Sequence, residues 1–301
     1  MQPQARPDGA VPHDLPDAQL RALIDEQFPH FSDRELGRRY AIAEHFAVRV
    51  GDDIGAVFPR YSDGDEFYER AAALIRPRAP GWTFPASYPV ATGIPSQGFP
   101  YHWFVVEWKA GSTAGFVPLD SGSVAPLAKA LAEIHVIAPA DSPLNPRTSV
   151  SLPRLYPHFQ TLLASATESE GLVRHEIDSD AVRDRFQRGA RAPMNIDPTW
   201  THGTLEPRSV ISDHGRFGGI LAWHHYGSGD PAADLACASN LLPLEHHESF
   251  FDAYGALCPA TRARIGAFQV FSALRHVAVD DPFAMRMAWD RLIEMGLAVE
   301  A

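Results

Sequence analysis

Lysine is nearly missing from this chain. Only two of its 26 basic residues, Lys109 and Lys129, carry an ammonium group, so a mechanism that needs a lysine has two positions to draw on. Cysteine is as scarce. Cys237 and Cys258 are too few for a disulfide framework, both stand in apolar helical surroundings, and both are expected as small core residues in a reducing cytoplasm. No apolar run approaches the roughly eighteen residues of a membrane span, and no charged-then-apolar segment opens the chain. Neither membrane insertion nor secretion is therefore expected. Positive charge is also short: a formal net charge of −11 argues against nucleic acid, whose phosphates need a basic footprint. An acidic surface suits a cationic small molecule, and serves solubility equally.

What remains is 301 residues of ordinary globular composition, 45% hydrophobic, enough for one sizeable core or two lobes. Residues 1–16 lack periodicity and read as a loose tail. "DAQLRALIDEQF" has Leu20, Leu23 and Ile24 at helical spacing behind Asp17, an N-cap candidate. "FAVRVGDDIGAVFPRY" predicts two strands around a turn, because Phe46, Val48 and Val50 alternate with Ala47 and Arg49. Arg60, after Pro59, is expected at the surface of a strand end. "DEFYERAAALIRP" reads as a helix and "HWFVVEW" as a strand, and "KAGST" then offers a linker. Beyond about residue 121 the period is helical, as in "VAPLAKALAEIHVI" with Leu127, Leu131 and Ile134 on one side. Strand-like pieces interrupt it at "SVIS" and "GGILAW". The expectation is an α+β protein, a small sheet-plus-helix lobe over 17–107 and a larger, mainly helical lobe over 108–301. Ligands tend to bind in the crevice between such units.

The run "WTHGTLEPRSVISDHGRFGGILAWHHYGSGDPAADLA" over residues 200–236 resembles the aminoglycoside and macrolide phosphotransferase family. Family members carry a loop of the form HGDxxxxN, a metal-binding aspartate thirteen residues on, and then GDPxxDLA. Here His202, Gly203 and the whole of "GDPAADLA" (Gly229 to Ala236) match. Weaker similarity extends to "EQFPHF", "VGDD", "FPR", "EWKAGSTA" and "LAEIH". The resemblance implies a two-lobed protein-kinase-like fold, with a small antiparallel-sheet lobe. It also implies phosphoryl transfer from ATP or GTP with Mg²⁺, in which positioning and electrostatics do most of the work.

The charged positions of that machinery are replaced. The base position falls on Thr204, the asparagine position on Ser209 and the second metal position on Ala222. The strand residue expected to be basic falls on Val57, and Ile42 lies near where a glycine of the phosphate-covering turn would be expected. Glu69 on the first-lobe helix survives without its usual partner. The expectation is a pseudoenzyme of the family, pseudokinase-like and cytoplasmic. It would bind a small-molecule ligand or a protein partner in the inter-lobe cleft, with no Mg-ATP transfer, no membrane and no nucleic acid.

Two alternatives stay open. An active phosphotransferase could use relocated groups, with Glu206 as base and Asp213 as metal ligand; ATP or GTP with Mg²⁺ would be its cofactor. Against that, Arg208 is expected to pair with Glu206, and Asp213 in "SDHG" suits a turn. Alternatively, His202, His224 and His225 support different chemistry, since imidazoles bind Zn²⁺ or titrate near neutrality. Adjacent residues on an extended segment point to opposite sides, however, so His224 and His225 are expected as polar lining rather than joint ligands. His246 and His247 are placed on a solvated connection. In "GDPAADLA", Asp230 is expected as an N-cap, Pro231 at the first helical position and Asp234 at the positive end of the helix dipole.

Overall fold

The structure, a computed structural model, describes residues 12–41, 44–62, 65–168, 175–203, 205–278 and 281–300. Thr204 and Ile42 lie outside the described residues. The chain divides into two compact units, Met1–Gly111 with Gly219–Tyr226, and Ser112–Gly218 with Gly227–Ala301.

The first unit holds helix α1 (Asp17–Gln27), strands β1 (Leu36–Ala41), β2 (His45–Val50) and β3 (Ile54–Pro59), and helix α2 (Asp65–Ile75). Strands β4 (Pro89–Gly93) and β5 (Trp103–Glu107) complete a five-stranded antiparallel sheet in the order β1-β2-β3-β5-β4. The period-two pattern sets the register. Phe46 opposes Phe58 and Val48 opposes Ala56, and all four are buried with Trp103 and Val105 under Leu20, Leu23 and Ile24 of α1. Phe58 stacks at 5.0 Å on Phe46 and at 4.7 Å on Trp103. Two end residues differ from expectation. Pro16 occupies the cap of α1, so Asp17 is its first helical residue. Arg60 is buried at the end of β3, because its guanidinium forks onto both carboxylate oxygens of Asp14, at 2.8 and 2.7 Å.

The second unit runs β6 (Ser112–Thr113), α3 (Val124–Ile134), α4 (Leu152–Glu168), β7 (His175–Ile177), α5 (Ser179–Arg191), β8 (Thr199–Thr201), β9 (Val210–Asp213) and β10 (Arg216–Ile220). It continues with β11 (Gly227–Gly229), α6 (Pro231–Leu235), α7 (Ala238–Leu241), α8 (His247–Tyr254), α9 (Pro259–Val277), α10 (Pro282–Glu294) and β12 (Ala298–Glu300). The last residues of β10 belong to the first unit. Helix α9 is the axle: α4, α5, α6 and α10 all pack on it. Phe186 of α5 stacks at 4.0 Å on Phe159 of α4. Leu127, Leu131 and Ile134 of α3 are buried, as their spacing predicts. No helix among the described residues is long and apolar enough to cross a membrane.

Three local readings change here. Cys237 is buried, but Cys258 is only half-buried and caps α9, its sulfur accepting the Thr261 N–H. His247 is buried, with Nε2 donating to the Leu242 carbonyl at 3.1 Å, while Leu244 and Glu245 before it are exposed, so His247 alone departs from the solvated connection expected there. "GGILAW" is a strand only as far as Ile220. Ala222 then turns into the left-handed region and Trp223–His225 forms a short 3-10 helix.

Candidate functional site

In the second unit, β8 pairs antiparallel with β11 and delivers the chain to His202 and Gly203. The Asp234 carboxylate on α6 holds both: Oδ2 accepts the His202 N–H at 2.6 Å and Oδ1 the Gly203 N–H at 2.9 Å. Gly203 adopts φ +87°, and a Cβ there would lie 2.3 Å from the Asn145 side-chain nitrogen, so the turn requires glycine. Burial alone would raise the Asp234 carboxyl. The hydrogen bond and charge of His135, then His202 and the Gly203 N–H, outweigh it and hold the pKa below the ordinary value. An ionised carboxylate only accepts, so His135 Nε2, 3.2 Å away, carries a proton. Its Nδ1 lies 3.0 Å from the Tyr254 hydroxyl, whose pKa is raised by burial and then by Asp234 and Asp230.

Asp230 caps α6 through the Ala232 N–H at 3.0 Å, with Pro231 as the first helical residue. Its other oxygen meets Arg264 Nε at 2.7 Å in a fully buried ion pair, and Arg264 also donates to the Pro193 carbonyl at 2.8 Å. "GDPAADLA" thus carries two buried carboxylates. One starts a helix and grips an arginine; the other shapes the loop before Thr204.

The rest of the loop closes on itself. Ser209 Oγ accepts the Glu206 N–H at 2.8 Å and donates to the Glu206 carbonyl at 2.9 Å. Arg208 pairs with Asp281 rather than with Glu206, which corrects the pairing read from adjacency; a turn sends neighbouring side chains apart. The Glu206 carboxylate lies 3.8 Å from His276, an imidazole whose pKa burial lowers. Asp213 ends β9 with its carboxylate exposed, 3.8 Å from His214.

In the first unit a different cluster forms after Ala222. His224 and His225 follow one another in the 3-10 helix, with ring centroids 4.2 Å apart. The expectation that they diverge rested on an extended backbone, which this segment does not have. Trp223 anchors the segment by stacking on Trp82 at 4.7 Å and donating from its indole to the Ile220 carbonyl at 3.2 Å. The His224 ring lies 5.7 Å from Tyr68 of α2 and 5.1 Å from His45, and Glu44 Oε2 is 3.6 Å from His224 Nε2. Burial, then the neighbouring His224, pushes His45 down to about 3. Of the other positions singled out, Val57 is half-buried in β3 and Glu69 is exposed on α2, which buries Tyr68, Ala71, Ala72 and Ile75. Lys109 pairs with Glu107 at 2.7 Å and Lys129 is exposed on α3.

The sequence model described as the phosphotransferase enzyme family matches residues 44–267. This chain belongs to that family. Among curated proteins, none matches it by sequence. Solved structures share its fold. The GDP complex of wild-type aminoglycoside 2'-phosphotransferase-IIIa superposes with TM-score 0.62 at 16% identity, over 92% of this chain and 97% of its own. Macrolide 2'-phosphotransferase MphH from Brachybacterium faecium, as apoenzyme, gives TM-score 0.54 at 19% identity, over 90% and 97%. The streptomycin–ATP ternary complex of APH(2")-IIa gives 0.57 at 15% identity, over 89% and 92%.

For a phosphotransferase-family chain, the residues that sequence reasoning missed are Glu44, His135, Tyr254 and Arg264. His135 ends the quoted "LAEIH", so its position was visible although its role was not. Nothing in the spacing of Glu44, 180 residues from His224, announces their meeting.

Proposed function

We propose that this phosphotransferase-family protein binds its ligand, a small molecule or a protein, without transferring a phosphoryl group from Mg-ATP or Mg-GTP. The observation that carries the reading is Ala222. It stands at the family's second metal position, has no side-chain donor, and holds a left-handed backbone, φ 63° and ψ 53°. Asp and Asn reach that state more readily than alanine does. The backbone state at Ala222 supports the reading, because it suits a short polar side chain and alanine brings no carboxylate to it. Ser209, at the asparagine position, supports the reading from the second unit, since its hydroxyl is bonded to both the N–H and the carbonyl of Glu206. Mg²⁺ demands oxygen ligands in near-octahedral geometry, and these residues do not fit it. Losing such a metal clamp removes several kcal/mol of charge stabilisation. The test is a thermal-shift series with ATP and GTP, each with and without Mg²⁺. No Mg²⁺-dependent rise in Tm is expected, and a strong one overturns the reading.

A second reading has one observation in its favour: Glu206 is not tied to Arg208. On that reading Glu206 serves as the base of a working phosphotransferase acting on a hydroxylated substrate, with His276 beside it. Substrate-dependent release of ADP or GDP, abolished in Glu206→Gln, would establish it over the first.

A further inference from the structure

The first unit contains a set of donors that neither the family match nor the proposed binding role explains. One ligand atom from each of Glu44, His224 and His225 lies within 4.8 Å of the others. His224 is 6% exposed, and its Nε2 is buried with no hydrogen-bond partner among the described residues. Glu44 Oε2 stands 3.6 Å from that nitrogen, beyond hydrogen-bond range. A buried imidazole nitrogen without a hydrogen bond is costly, and native structures rarely keep one without a reason.

We propose that Glu44, His224 and His225 form a binding site for one divalent transition-metal ion of the Zn²⁺ type. The spacing suits it. Bonds of about 2.0–2.2 Å to imidazole nitrogen and carboxylate oxygen, at tetrahedral angles, put neighbouring donors about 3.3 Å apart. The Glu44–His224 pair, at 3.6 Å, is already close to that separation, and no pair in the trio is more than 4.8 Å apart. Two imidazoles and a carboxylate favour zinc, cobalt, nickel or copper over Mg²⁺ and Ca²⁺, which prefer all-oxygen shells.

Both supports are tied to neighbouring structure. The Glu44 carbonyl accepts the Arg60 N–H at 2.9 Å beside the start of β2, and the two histidines ride on a 3-10 helix anchored by Trp223. Phe67 of α2 sits edge-on to His225 at 5.3 Å, and Tyr68 covers His224. Packed rings of this kind fix ligand orientation and limit water access, as the shell around a metal must. With three protein ligands, a tetrahedral ion keeps its fourth position for water or for an oxygen or nitrogen of a ligand.

The test uses the full chain without a histidine tag, stripped with a chelator and then titrated with Zn²⁺ against a chromophoric competitor. Co²⁺ is added in a parallel series. The expected result is about one Zn²⁺ per chain, a Co²⁺ visible spectrum of tetrahedral type, and no displacement by millimolar Mg²⁺. Glu44→Gln, His224→Gln and His225→Gln should each weaken Zn²⁺ at least about tenfold, the scale set by losing even a supporting residue behind a metal ligand. His214→Gln, at an exposed histidine in the other unit, should leave it unchanged. The proposal is overturned if the wild-type chain takes up no Zn²⁺ and shows no Co²⁺ spectrum, a reading that needs no variant to fold. It is equally overturned if variants with wild-type circular dichroism bind as the parent does, or if Mg²⁺ competes on equal terms. None of these outcomes depends on whether nucleotide binds.

Discussion

At Cys258 the sulfur accepts the Thr261 N–H at 3.4 Å and lies 3.3 Å from the Thr261 hydroxyl, at the start of a nineteen-residue helix. Both contacts favour the thiolate over the thiol, the hydroxyl contributing most, and with smaller contributions from Asn195 and the Ala260 backbone they bring the pKa from 9.0 down to about 7. Cys237 shows the opposite case: burial, then the negative charge of Asp234, pushes its thiol well up. Two residues of one type are thus separated by what surrounds them. Alkylation of Cys258 by iodoacetamide, followed by mass spectrometry, should rise with pH through a midpoint near 7 while Cys237 stays unmodified in the folded chain. Thr261→Ala should move the midpoint upward by removing the hydroxyl. A midpoint near 9 in the parent chain would show that the capping contacts do not form.

At the scale of elements, α5 and α9 approach until only glycine fits between them. A Cβ on Gly189 would come 2.4 Å from the Ala267 Cβ and 2.6 Å from the Ala263 carbonyl oxygen. Gly189→Ala should destabilise the protein by about 1–3 kcal/mol through overpacking. Set against the roughly 1 kcal/mol that replacing a helical glycine normally gains, the net loss should be up to about 2 kcal/mol. Adding Ala267→Gly relieves the side-chain contact and leaves the carbonyl clash, so rescue should be partial. Urea unfolding reads both variants, and a Gly189→Ala chain more stable than its parent by that roughly 1 kcal/mol would refute the close approach. This contact also marks how far sequence reading reaches. Helix α3 and strand β2 were legible, because their apolar residues recur at the period of the element. Which helix meets which glycine carries no such signal. The family resemblance was likewise legible from "GDPAADLA", because the run is contiguous, although the partners of its two aspartates, Gly203, His202, Arg264 and His135, lie 31 to 99 residues away. The 3-10 turn at Trp223–His225 was not, since a left-handed alanine has no signature in composition or spacing. Missing it led to His224 and His225 being read as diverging.

Over the whole molecule, the buried ionisable groups make stability depend on pH in one direction. His247 and His276 in the second unit have pKa values lowered chiefly by burial, so both stay neutral in the folded chain where the unfolded imidazole, near 6.5, already takes up a proton. Below that pH the unfolded state binds more protons, and the stabilisation present at higher pH is progressively lost. The limiting slope is about 1.4 kcal/mol per pH unit for each fully shielded histidine, and less where solvent screens it. Asp234 acts in a lower window. Its folded pKa lies below the ordinary carboxyl value of 3.8, so its contribution holds above that value and disappears as the pH falls through the folded pKa. Acid should therefore weaken the chain in two stages, a histidine stage beginning near pH 6.5 and a carboxylate stage below about 4. Urea midpoints at pH 8, 6, 5 and 4 would resolve the stages. The double variant His247→Gln/His276→Gln keeps a donor for the Leu242 carbonyl but has no proton to gain, so its midpoint should vary less between pH 7 and 5 than the parent's. Asp234→Asn should remove the lower stage and weaken the chain at pH 7, because an amide cannot accept from His202, Gly203 and His135 as a carboxylate does. If the double variant follows the parent's curve over the upper range, these two imidazoles are protonated in the folded chain, and the buried His45 of the first unit, held down to about 3, carries the histidine stage by itself.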